Sequence, residues 1–168
     1  VVTATAPTYT YTKRVTITQK ENGAPIDESM YYQDSDVVTL QEADQKYDTP
    51  LNVVIVSEGY QKKDLVKGGV FARNARSACD AFFGVEPYKS FRDRFNVYLM
   101  AFESEDEGIS LQGGEQKDTY FKAYYQAVGN TYVNLPGSNY DAVRSVLRND
   151  ERFNDDAEYY RTIVIMLI

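Results

Sequence analysis

The groups in this chain that could do chemistry are carboxylates, one thiol and many phenols. Its 168 residues hold 25 Asp and Glu, 15 Tyr, a single Cys and no His. The missing imidazole removes the Ser-His-Asp and Cys-His nucleophile systems and every His-ligated metal site. Cys79 is the sole cysteine, so no disulfide can form within the chain. It falls on the apolar stripe of an expected helix, where an inert buried thiol is a plainer reading than a reactive one. Glu103-Ser104-Glu105-Asp106-Glu107-Gly108 gathers carboxylates at the expected end of a strand. Such a cluster offers oxygen ligands to Ca²⁺, but its spacing is not that of an EF-hand loop, and a solvated acidic loop is the other reading. Gln112-Gly113-Gly114 matches neither GxGxxG nor GxxxxGK[ST], so no nucleotide-binding signature is present. A pair of carboxylates could serve acid–base hydrolysis, as in glycosidases, yet no spacing singles one pair out. No catalytic, cofactor-binding or metal-ligating residue is therefore assigned.

Charge and composition narrow the partners. A net charge of −7 argues against nucleic acid, because phosphate binding needs a basic face. No apolar run approaches the ~20 residues that span a membrane. Fifteen Tyr without a Trp could furnish a surface for glycan or peptide, or could simply occupy strands and half-buried positions. No signal peptide is visible and the first residue is Val1 rather than Met, which suggests a processed or excised chain.

The elements that must position any site centre on residues 51–102. Leu51-Asn52-Val53-Val54-Ile55-Val56 is a β-branched run with little alternation, as in a strand buried on both faces. Ser57-Glu58-Gly59-Tyr60 closes it as a turn. Leu65, Gly69, Ala72, Ala75, Cys79 and Phe82 then recur every three or four residues, which predicts a helix over about 62–83, with Lys67 off the stripe. Gly84 and Pro87 end it. A second apolar strand follows over 95–102, completing a right-handed βαβ unit. A third, Thr162 to Ile168, is apolar throughout, with no polar stop, turn or cap after it, so the chain is expected to be cut there. Three such strands with intervening helices predict an α/β fold, a three-layer-like sheet of mainly parallel strands with helices.

The flanking segments are read more loosely. Tyr9 to Thr18 alternates as a half-exposed strand, Asn22-Gly23 marks a turn, and 36–40 is a weaker strand candidate. Together they predict a small β appendage over 1–45, leading into an α/β part over 46–168. Thr119 to Tyr125 reads as a short helix or an irregular aromatic segment, and Val133 to Gly137 as a turn. Ser138 can cap a helix carrying Tyr140, Val143, Val146 and Leu147 on one side. Ligands of parallel sheets gather at the carboxyl ends of the strands, which here are Ser57-Glu58-Gly59-Tyr60 and Glu103-Ser104-Glu105.

Two segments carry a family resemblance: Val53-Val54-Ile55-Val56-Ser57-Glu58-Gly59-Tyr60, and Phe82-Phe83-Gly84-Val85-Glu86-Pro87-Tyr88-Lys89-Ser90-Phe91-Arg92-Asp93-Arg94-Phe95-Asn96-Val97-Tyr98. They resemble the IgA-peptidase family of bacterial secreted zinc metallopeptidases, with the Glu86-to-Tyr98 block the specific part. Glu103 to Ser110, Asp118-Thr119-Tyr120-Phe121 and Ile163 to Ile168 follow in the family's order, so the likeness runs over about 37–168. One departure is Glu58, which stands where that family usually has Asp. The resemblance implies a secreted, cell-surface or periplasmic bacterial protein whose parent hydrolyses peptide or protein substrates with zinc. In that family the last strand leads to a helix bearing H-E-x-x-H, whose two His hold Zn²⁺ while the Glu activates water. This chain has no His, so no ligand or base carries over and no cofactor is expected within it. It is expected to be the amino-terminal scaffold of such a domain, inactive alone and completed by the remaining catalytic half. The alternative is a stand-alone extracellular binding module that uses its Tyr-rich surface for glycan or peptide.

Overall fold

The computed structural model describes residues 27–34, 36–126, 132–137 and 139–168. The chain divides into two compact units, 1–30 and 31–168. In the first, the described residues 27–30 include one 3₁₀ turn, Glu28–Met30. The strand expected over 9–18 and the turn at Asn22-Gly23 lie outside the described residues.

The second unit is α/β, with mixed sheets and a few helices. Its central sheet is built on the β-branched run, β2 (Leu51–Ser57). β2 pairs in parallel with β3 (Phe95–Met100) on one side and with β7 (Thr162–Leu167) on the other, so that Val54 lies between Tyr98 and Val164. These are the three strands expected to be neighbours and parallel. β1 (Val37–Gln41) pairs antiparallel with β3 and shifts register between Thr39 and Gln41. The strand order is β1-β3-β2-β7. A stretch expected in the leading appendage thus forms the antiparallel edge of the central sheet. Its short, weakly apolar sequence concealed this, because one neighbour suffices to bury half of an edge strand.

Side-chain alternation divides the apolar residues of β2 and β3 between two clusters. Val53, Ile55, Val97 and Leu99 join Phe71, Ala75 and Cys79 of α1 (Val70–Phe82). Val54, Val56 and Met100 join Phe102, Phe121, Leu147 and Phe153, and Leu147 belongs to α2 (Asn139–Arg148). A short helix, α3 (Asp156–Tyr160), is capped by the Asp155 carboxylate, which accepts from the Glu158 N–H, and feeds β7. Two polar side chains inside the apolar strands serve each other. Asn96 donates to Asn52 at 3.1 Å, and its own oxygen accepts from the Ala43 N–H at 2.8 Å.

The structure corrects several boundaries. The helix expected over 62–83 is two pieces, a 3₁₀ turn at Lys62–Asp64 and α1 from Val70. Gly68 and Gly69 separate them: Gly68 takes φ +77°, and consecutive glycines are poor interior helix residues. Phe82, expected on the buried stripe, is only partly buried, and Phe71 fills the core instead. The strand expected to reach Phe102 leaves the ladder after Met100, although Ala101 and Phe102 stay buried. Thr119–Phe121 forms no helix, and Tyr124–Gln126 is a strand, β5. It lies parallel to β4 (Ser110–Leu111) and antiparallel to β6 (Tyr132–Asn134), where the sequence predicts only a turn. These strands are two or three residues long, too short for periodicity to reveal.

β7 is the other edge of the central sheet. Like β2 it is mostly apolar, yet it is less buried: Ile163 is 36% exposed and Ile168 beyond it 52%.

Candidate functional site at the carboxyl ends of the strands

The turn that closes β2 carries the most buried ionisable side chain at this rim. Glu58 is fully buried, in a position the sequence offers as part of the turn that closes the strand. Its backbone N–H donates to the Leu167 carbonyl at 2.8 Å, which continues the pairing of β2 with β7. Its carboxylate reaches across to the loop before β5. Oε1 accepts from the Thr119 hydroxyl at 2.6 Å and the Ala123 N–H at 2.7 Å, and Oε2 accepts from the Phe121 N–H at 2.8 Å. Lys122, between the two amide donors, has φ +57°. That left-handed residue lets alternate N–H groups converge, a nest of the kind that binds anions. Here the anion is part of the chain. Three donors to one carboxylate are what allow an acid to be buried without a cationic partner.

The residues around Glu58 tighten the same knot. The Ser57 hydroxyl donates to the Phe102 carbonyl at 2.9 Å and accepts from the Phe102 N–H at 2.7 Å. It replaces the ladder where β3 ends. Gly59 has φ +71°, and a Cβ there would stand 2.1 Å from the Gly108 carbonyl oxygen, so any other residue is excluded twice over. The Gly59 carbonyl accepts from the Gly108 N–H at 2.9 Å. Ser104 is buried, and its oxygen accepts from the Gly59 and Tyr120 N–H groups, each at 3.0 Å. One side chain thus binds the β2 turn to the loop that Glu58 also holds.

The acidic loop is distributed rather than gathered. Glu107 pairs with Lys63 at 2.7 Å, and that hydrogen bond holds its carboxyl below the ordinary range. Asp106 accepts from the Asp118 N–H at 2.7 Å. The Glu105 carbonyl, not its carboxylate, accepts from Gln61 at 2.7 Å, and the Glu103 N–H donates to Asp34 at 3.0 Å. Among the described residues no group of three or more His, Cys, Asp or Glu converges on a point where a metal could sit. Gln112-Gly113-Gly114 is a tight turn: Gly113 has φ +74°, and the Gly114 N–H donates to the Leu111 carbonyl at 3.0 Å. Cys79 is buried on the inner face of α1, and burial pushes its thiol above the usual value.

Among the described residues the donor set does not fit zinc. No imidazole exists in the chain, the one thiol lies in the core, and the buried carboxylate is engaged by three donors of its own. The rim hydroxyls of Ser57 and Ser104 are engaged by backbone groups, so each fastens the end of β2 to a neighbouring segment. Two open clefts include residues of the loops that follow β3. One, about 310 Å³, is lined by Tyr32, Gln33, Asp34, Lys62 and Glu103; the other, about 300 Å³, includes Ser110, Gln112, Lys117, Lys122 and Tyr124.

The sequence points to the two loops that meet here, Ser57-Glu58-Gly59-Tyr60 and Glu103-Ser104-Glu105, and the structure brings them together. Thr119 and Ala123 are absent from that reading, since nothing local shows that they face a carboxylate more than 60 positions earlier in the chain. No helix among the described residues is long and apolar enough to cross a membrane. A family model described as IgA Peptidase M64 matches residues 38–164. No curated protein matches the chain significantly.

Proposed function

Because the chain belongs to the IgA peptidase M64 family, we propose that it is the non-catalytic front portion of a secreted bacterial zinc metallopeptidase. The observation that carries this reading is the family match from β1 into β7 in a chain without a single His. The matched segment holds most of the central sheet, from β1 to the first half of β7, and the Glu58 knot, which are scaffold. The imidazole ligands and the water-activating Glu of an H-E-x-x-H helix have no counterpart in it. On this reading the sheet is the middle of a three-layer arrangement, peptide or protein is the substrate of the complete enzyme, and the remaining half of the domain brings the zinc.

The test compares this 168-residue chain with a longer gene product that includes a downstream H-E-x-x-H helix. Metal analysis and casein digestion, with and without chelator, are run on both. The expected result is no stoichiometric zinc and no cleavage for the short chain, and both together for the long one. Zinc-dependent cleavage by the short chain overturns the proposal. Specific glycan or peptide binding by the short chain, with no H-E-x-x-H helix encoded downstream, replaces it with a stand-alone binding module.

A further inference from the structure

We draw no further inference here: the strongest candidate, the apolar groove of about 440 Å³ beside β7 that Leu135, Val143, Tyr159, Val164 and Met166 line, is an open face at a sheet edge, and nothing in the structure shows what covers it.

Discussion

Glu58 concentrates the chemistry of the rim in one carboxylate, and its contacts are all of one kind. Each oxygen accepts; neither has a donor role. Glu58→Gln keeps the shape but turns one acceptor into an amide donor that faces hydroxyl or amide donors. Leaving such groups unsatisfied costs about 1–3 kcal/mol, so the variant should lose that much stability in urea unfolding. Thr119→Val removes one donor and leaves the two amides in place, so its loss should be smaller, about 0.5–1.5 kcal/mol. Equal losses from the two variants would mean that the carboxylate is not the organising group. A second test concerns Cys79. Burial raises its folded pKa above the ordinary 9.0. The stability gained by keeping the thiol neutral is therefore present below the unfolded value and is lost as pH rises through the folded one. Ellman's reagent near pH 8 should react slowly with the native protein and fully in denaturant. Rapid reaction in the native state would place the thiol at the surface. The burial of Cys79 was legible from its place on the helical stripe. The burial of Glu58 was not, because a polar turn after a strand ordinarily faces water.

At the scale of elements, long apolar runs were readable and short strands were not. β2, β3 and β7 each carry enough β-branched or aromatic residues to be recognised without their neighbours. β4, β5 and β6 exist through pairing with one another, which no local pattern encodes. The stripe was right in burying Leu65, Ala72, Ala75 and Cys79; at its ends, Gly68-Gly69 starts the helix late and Phe82 is only partly buried against the core. Phe71, fully buried against the sheet, takes the role expected of Phe82. Phe71→Ala should cost about 3–5 kcal/mol. Ser77→Ala, on the exposed side of the same helix, should stay within about 0.5 kcal/mol. Similar effects in chemical denaturation would show that the buried face is misassigned. The acidic loop yields a prediction of the same kind. Glu107 is tied to Lys63 and Asp106 to a backbone N–H, so their carboxylates do not converge. Millimolar Ca²⁺ should leave the melting temperature unchanged, whereas a site filled to 100 times its Kd would add about 2.7 kcal/mol.

At the scale of the unit spanning residues 31–168, the sheet ties two cores into one. β2 alternates Val53 and Ile55 into the cluster under α1, and Val54 and Val56 into the cluster with Phe121, Leu147 and Phe153. Neither cluster can lose its strand side chains without exposing the other's, because the same backbone carries both sets. The Glu58 knot extends this coupling: it fastens the loop bearing Phe121 to the end of β2. Unfolding of this unit should therefore be cooperative, with no state in which one cluster is open and the other intact. Hydrogen exchange read by mass spectrometry along a urea series tests it. Peptides from β2, from α1 and from the segment around Leu147 and Phe153 should lose protection at one common urea concentration. Phe71→Ala in the first cluster and Val54→Ala in the second should each move all three peptides together. If Phe71→Ala releases α1 while the Leu147–Phe153 peptide keeps its wild-type midpoint, the two clusters are separate folding units and β2 does not join them.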